Sequence, residues 1–195
     1  MMLGSNPATD RTWKRLPSQS VGVELGVWKG VSSEKFLNRA SKLYLVDSWS
    51  IKPYKDSDEF GNYTGYLKKY SKIVGSCNAN DFQNYYDKIY RDVIKKFNRD
   101  MRVEIYRMTT DTFFLTVHKY LKVDWVYVDA SHSYEGCLND LRNSLNIIVK
   151  GGSIFGDDYN NRPGVTKAVN QFLKETGLKI DNFYKDQYEI CIPLV

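Results

Sequence analysis

Five short apolar runs, separated by stretches of helical periodicity, set the pattern of the chain. Residues 21–25 read as a buried strand, followed by glycines and a helix over 32–40. A second strand spans 43–46 and ends at Asp47, and a third spans 102–106. A modest helix over 111–121 follows, weakened by the β-branched Thr112, Thr116 and Val117. The fourth strand covers 125–128 and ends at Asp129. Over 135–149, Leu138, Leu141, Leu145 and Ile148 recur at spacings of three and four, which predicts an amphipathic helix. Lys150-Gly151-Gly152 is the expected stop, because glycine favours the position just past a helix end. The fifth strand covers 153–156 and ends at Asp157-Asp158. Gly164 and Val165 open another helix, with Val169, Phe172 and Leu173 on its face.

Strands that alternate with helices require crossover connections and therefore a parallel sheet. The last two runs, 178–184 and 188–192, are separated only by Lys185-Asp186-Gln187 and predict an antiparallel pair. Together these elements predict an α/β chain with a mostly parallel seven-stranded sheet, an antiparallel final strand and helices on both faces. The stretch 48–100 is too long for one crossover, so it should hold a sheet-packing helix plus an inserted helical element. No repeat or low-complexity linker divides residues 1–195, which are expected to form one domain.

Composition narrows the choice of function. No apolar run reaches the roughly 20 residues needed to cross a bilayer, and the first 15 residues lack the apolar stretch of a signal peptide. Cys77, Cys137 and Cys191 fit neither a zinc site nor a disulfide framework, which suits a reducing cytoplasm. A net charge of +5 without a Lys/Arg block gives nucleic acid little support as a partner.

After the first strand stands Glu24-Leu25-Gly26-Val27-Trp28-Lys29-Gly30. Glycines there let the backbone turn tightly and approach a ligand. Asp47 lies 23 residues beyond Glu24, where a carboxylate can accept both hydroxyls of a ribose. The pattern is E-x-G-x-x-x-G rather than G-x-G-x-x-G, and an acid within the first strand would repel a pyrophosphate. A sulfonium ligand with an amino group carries no phosphate and suits that acid. At this point the chain, over 20–195 apart from the inserted segment, resembles class I S-adenosylmethionine-dependent methyltransferases of Rossmann-like fold. The resemblance implies Glu24, Gly26 and Gly30 near the methionine part, Asp47 on the ribose, Arg107-Met108-Thr109 at the adenine, and Asp129 among the cofactor contacts.

The fourth and fifth strands should release Asp129, Asp157 and Asp158 toward one crevice. Three uncompensated carboxylates repel one another, and an oxygen-seeking cation such as Mg²⁺ would relieve this and hold a substrate hydroxyl. His132, three residues beyond Asp129, is close enough to take that hydroxyl's proton, with an ordinary pKa of about 6.5. The motifs D-x-x-H-x-Y-E, then G-G-x-h-x-x-D-D-Y (h apolar), then G-V-x-x-A-V resemble small-molecule O-methyltransferases, including metal-dependent enzymes acting on sugars of natural products. That likeness implies metal binding by the acids closing strands four and five, and a proton taken by the basic residue at His132. The plain alternatives are that Asp157 and Asp158 cap a turn, that His132 merely neighbours a helix N-cap, and that Tyr134 packs beneath the loop. His118 reads as a structural helix residue.

Between 48 and 100 lie Trp49, Phe60 and seven of the fifteen tyrosines. Tyrosine offers a flat apolar face and a hydroxyl, suited to sugars and aromatic rings. Residues of about 50–100 therefore form a candidate substrate lid, with ordinary core filling or contact with a second copy of the chain as the alternative. The leading expectation is methyl transfer from S-adenosylmethionine to a hydroxyl of a small molecule, a sugar or glycosylated metabolite, with Mg²⁺ assistance. The rivals are a catalytically silent cofactor-binding subunit, an RNA methyltransferase, and a nucleotide-sugar enzyme, against which Glu24 argues.

Overall fold

The computed structural model describes residues 7–55, 62–117 and 120–194. An N-terminal helix α1 (Pro7–Arg15) leads into β1 (Ser20–Leu25), α2 (Val31–Phe36) and β2 (Ala40–Asp47). A short 3₁₀ turn (Lys52–Tyr54), α3 (Tyr63–Val74) and α4 (Ala79–Phe97) precede β3 (Val103–Arg107). The remainder runs α5 (Thr110–Thr116), β4 (Val123–Val128), α6 (Tyr134–Ile147), β5 (Ile148–Gly156), α7 (Pro163–Thr176), β6 (Asn182–Tyr184) and β7 (Gln187–Cys191).

The strands form one seven-stranded sheet in the order β3-β2-β1-β4-β5-β7-β6. Strands β1 to β5 pair in parallel, whereas β7 runs antiparallel to both β5 and β6. Central strands read as continuous apolar runs because both sheet faces are covered. Val23, Leu25, Val126 and Val128 face one core with Phe113, Leu141 and Phe172 of α5, α6 and α7. Trp125, Tyr127, Leu43 and Leu45 face the other, with Leu16, Phe36 of α2 and Ile89, Val93 and Phe97 of α4. The stretch after β2 thus holds one sheet-packing helix, α4, and an added helix, α3. A third small core of Ile51, Tyr66 and Phe82 joins α3 to α4. No helix among the described residues is long and apolar enough to cross a membrane.

Several boundaries depart from the sequence pattern. Helix α6 does not stop at Gly151-Gly152; it turns directly into β5 at Ile148, whose ψ is 137°. The two glycines instead serve an irregularity inside β5. Val123 pairs with Ile148 and Trp125 with Ser153, so β5 gains three residues on β4 there. Gly151 takes φ +81°, and a Cβ on Gly152 would lie 2.5 Å from the Asp124 carbonyl oxygen. Helices α2 and α5 are shorter than their patterns, and Ala40 belongs to β2. His118 and Phe60 lie outside the described residues.

On the α2/α4 face the packing is tight enough to specify a glycine. Trp125 is fully buried, donates its indole N–H to Ser20 Oγ at 2.8 Å, and meets the Phe36 ring edge-on at 5.5 Å. A Cβ on Gly22 would sit 2.1 Å from the Trp125 indole. Gly22→Ala should therefore destabilise the chain by about 1–3 kcal/mol through overpacking. Urea unfolding followed by circular dichroism measures this, and an unchanged midpoint would contradict the packing.

Candidate active site

The five parallel strands release their following loops at one sheet edge, where α/β proteins bind ligands. A cavity of about 340 Å³ opens there, walled by the loops after β1, β2, β3 and β4 and by part of the 48–100 insertion. Two loops meet in its floor. Gly26 has φ +88°, and a Cβ at this position would lie 1.9 Å from the Asp129 carbonyl oxygen. Only glycine lets the loop after β1 touch the loop after β4 so closely. Gly30 takes φ +66° at the start of α2, and a Cβ there would lie 2.9 Å from the Phe97 ring.

Asp47, at the end of β2, organises the loop above it. Its Oδ2 accepts the N–H groups of Val27 at 3.0 Å and Trp28 at 2.9 Å, while Oδ1 accepts Trp49 N–H at 2.7 Å. Trp28 (φ +46°) and Trp49 (φ +39°) both adopt left-handed backbone, which costs an L-residue energy that the carboxylate offsets. Burial pushes the Asp47 carboxyl up, against the three N–H donors and the nearby Arg107 guanidinium, which pull it down. Arg107 also donates to the Trp49 carbonyl at 3.0 Å and pairs with Asp87 of α4, tying the insertion to the end of β3. Glu24 is only 1% exposed and accepts Ser33 Oγ at 2.5 Å. Burial drives its carboxyl well above the usual range. Gly26, Asp47, Thr109 and Asp129 line the cavity, whereas Glu24 and Gly30 do not. Thr109 also caps α5, accepting Thr112 N–H at 3.2 Å.

The acids after β4 and β5 separate into two environments. His132 Nε2 lies 3.0 Å from Asp158 Oδ2 and 3.6 Å from Asp129 Oδ1. One potential ligand atom from each of these three residues falls within 4.8 Å of the others. Asp157 points to the opposite side of the sheet. Its Oδ2 accepts the Tyr127 hydroxyl at 3.4 Å and Gln187 Nε2 at 3.3 Å, and its Oδ1 accepts Asp158 N–H at 2.9 Å. The structure thus brings Asp129 and Asp158 together with His132 and leaves Asp157 behind them. Asp158 holds φ +63°, and Asn161 Nδ2 donates to it at 3.1 Å.

Charge sorts the carboxyls accordingly. Burial raises Asp129 to about 7 even though His132 hydrogen-bonds to it. Burial also raises Asp157. At Asp158 burial is outweighed by His132, Asn161 and Arg162, which hold the group below its ordinary value. His132 therefore has one carboxylate beside it and one carboxyl that titrates near neutrality. Such a pair can orient an imidazole and stabilise a proton on it. Tyr134 packs against the α6 core, with Lys167 Nζ 4.2 Å from its ring centroid.

Cavity residues given no role by the sequence pattern are Trp28, Lys29 and Val31; Met108 lines the cavity beside Thr109, and Tyr54, Tyr70 and Tyr86 of the tyrosine-rich insertion do so as well. The Tyr54 and Tyr66 rings stack at 4.0 Å and 8°, and the Tyr66 and Tyr86 hydroxyls hydrogen-bond. Burial raises the Tyr86 hydroxyl to about 12. The tyrosines are thus both core filling and cavity wall. Trp28 and Lys29 could have been picked out by their place between the two loop glycines; the tyrosines carry no such positional signal.

A family model described as a methyltransferase domain matches residues 23–159, from β1 through the loop after β5. The chain belongs to this family. Solved methyltransferases share the fold across nearly the whole chain. The O-methyltransferase NovP is 16% identical with a TM-score of 0.58, covering 94% of this chain and 75% of its own. The N-methyltransferase NodS from Bradyrhizobium japonicum WM9, in complex with S-adenosyl-L-homocysteine, is 11% identical with a TM-score of 0.60, covering 96% and 87%. An rRNA methylase from Streptococcus thermophilus is 10% identical with a TM-score of 0.58, covering 100% of both chains. At these identities the likeness is one of fold. No curated protein shows significant sequence similarity to this methyltransferase.

Because Asp47 holds three backbone N–H groups, it should matter to this methyltransferase before any ligand arrives. Asp47→Ala is expected to lower the unfolding free energy of the ligand-free chain by about 1–3 kcal/mol, as charged hydrogen bonds are lost. Chemical denaturation without ligand tests this; an unchanged midpoint would confine Asp47 to ligand binding.

Proposed function

We propose that this methyltransferase moves a methyl group from S-adenosylmethionine to a hydroxyl of a small molecule, a sugar or glycosylated metabolite. The observation that carries the reading is His132, paired with Asp158 and Asp129 and lining the same cavity as Asp47.

The residues fit the donor. Asp47 offers a carboxylate to a ribose diol, with Thr109 and Met108 beside it for the adenine, and no phosphate-binding glycine pattern competes. Solved relatives in fold hold S-adenosylmethionine, as in Aeropyrum pernix fibrillarin, or S-adenosyl-L-homocysteine, as in NodS. When bound, the donor supplies a methyl group activated on a sulfonium. The protein's tasks are to align the acceptor oxygen with that methyl and to remove the hydroxyl proton. A ring nitrogen of His132 takes the proton as the new O–C bond forms and the S–C bond breaks. Asp158 and Asp129 then stabilise the imidazolium. Tyr54, Tyr70 and Tyr86 form the lid side of the site, offering ring faces and hydroxyls to a sugar.

A second reading adds a divalent cation such as Mg²⁺, favoured by the closeness of ligand atoms from Asp129, His132 and Asp158. Asp157, committed to Tyr127 and Gln187, would stand behind such an ion. Mg²⁺ prefers an all-oxygen shell, so the imidazole counts against it, and His132 itself relieves the repulsion between the two acids. The three cysteines, none in a disulfide, suit a cytoplasmic setting.

S-adenosyl-L-homocysteine should stabilise the chain and NAD should not. At a hundred times its dissociation constant the gain is about 2.7 kcal/mol, which is readable as a melting shift. No shift at millimolar concentration would end the donor reading.

His132→Ala should lower turnover on a hydroxyl acceptor by about 10²–10⁴ while leaving S-adenosyl-L-homocysteine affinity within a few fold. The loss should shrink as pH rises and hydroxide substitutes for the base. Chelation should leave the parent activity intact; if it abolishes activity, the cation reading replaces the metal-free one. Methylation of RNA in preference to any sugar would overturn the acceptor class.

A further inference from the structure

Lys29 puts a positive charge on the cavity wall, and the mechanism above leaves it unused. It is the only Lys or Arg lining the cavity among the described residues. Among the described residues it forms no ion pair; Glu34, a nearby acid on α2, pairs with Lys96 at 3.0 Å instead. Its Nζ lies 4.5 Å from the Trp28 ring centroid and 6.0 Å from that of Tyr85, so aromatic faces hold the ammonium in place. The backbone around it is also fixed. Val27 and Trp28 are bonded to Asp47, and Lys96 Nζ donates to the Lys29 carbonyl at 3.3 Å.

A fixed cation facing the cavity is a poor neighbour for a sulfonium, because like charges repel in a partly desolvated site. The arrangement becomes favourable once a ligand brings a matching negative charge. A phosphate would bring two and would also face the cavity's Asp47 and Asp129. A single carboxylate matches a single lysine.

Building on the donor reading above, we infer that Lys29, held over Trp28 in the glycine loop, is the recognition residue for a ligand carboxylate. Two ligands could bring that group: the amino-acid arm of the donor, or an acidic acceptor such as a uronic acid.

Calorimetric titration of the full chain separates these sources. Wild type, Lys29→Met and Lys29→Arg are titrated with S-adenosyl-L-homocysteine and with its decarboxylated analogue, S-adenosyl-3-thiopropylamine. If the carboxylate is the donor's, Lys29→Met weakens S-adenosyl-L-homocysteine about 10–100-fold, as expected for a charged hydrogen bond. The analogue's affinity then stays nearly unchanged, and Lys29→Arg recovers most of the loss. If the carboxylate is the acceptor's, Lys29→Met spares S-adenosyl-L-homocysteine but loses the preference for glucuronate over glucose, measured with S-adenosyl-L-homocysteine saturating. Equal losses with and without the carboxylate, or no change in either arm, overturn the assignment. A wild-type chain that fails to bind S-adenosyl-L-homocysteine sinks the donor reading instead, and glucuronate against glucose, titrated without it, then decides Lys29 alone.

Discussion

The missing side chain at Gly26 is the constraint on which the site depends. Its Cα lies against the Asp129 carbonyl so closely that a methyl group there would overlap it at 1.9 Å. That contact brings the loop after β1 and the loop after β4 into one floor. The glycine loop, Asp47, Asp129 and His132 therefore line a single cavity, and Asp158 joins it through its pairing with His132. The sheet order supports this: β1 lies between β2 and β4, so the loops carrying Asp47 and Asp129 flank it on either side.

Packing negative groups along one edge raises an electrostatic problem, and the structure solves it differently at each acid. Three backbone N–H groups hold Asp47, two of them from residues in left-handed conformation. Ser33 holds Glu24 in the interior, where burial disfavours its charge. Asp158 keeps its charge beside His132, while Asp129 titrates near neutrality. Asp47 and Asp129 are the acids on the cavity wall among the described residues. The same logic makes Lys29 informative, since it is a wall cation with no acid paired to it among the described residues.

How much of this was legible in the sequence differs from residue to residue. The apolar runs predicted the central strands, because strands buried on both faces need continuous hydrophobic stretches, whereas the edge strand β6 is mostly exposed and spans only 182–184 of the run 178–184. The i, i+3 spacing of Asp129 and His132 placed both on one short loop. The Asp157-Asp158 pair was legible as a pair but not as two roles. Consecutive residues leave a strand toward opposite faces, and the left-handed Asp158 then turns its carboxylate to His132 while Asp157 meets Tyr127 and Gln187. Gly151-Gly152 was misread as a helix stop because a glycine signal is the same for a C-cap and for a strand irregularity. Helix α1 carries no such signal because its role, covering β7 through Thr12–Gln187 and Arg15–Glu189, depends on partners more than 170 residues away.

By itself the sequence determined the fold class, the order of elements, the glycine loop and the acids at the strand ends, since these rest on local periodicity and short spacings. Tertiary structure alone decided which acids face one another, which tyrosines wall the cavity and which cation stands on its wall. Those outcomes depend on strand register and on contacts between distant loops. Such contacts are set by close packing of the whole sheet, and no local stretch of the chain carries them.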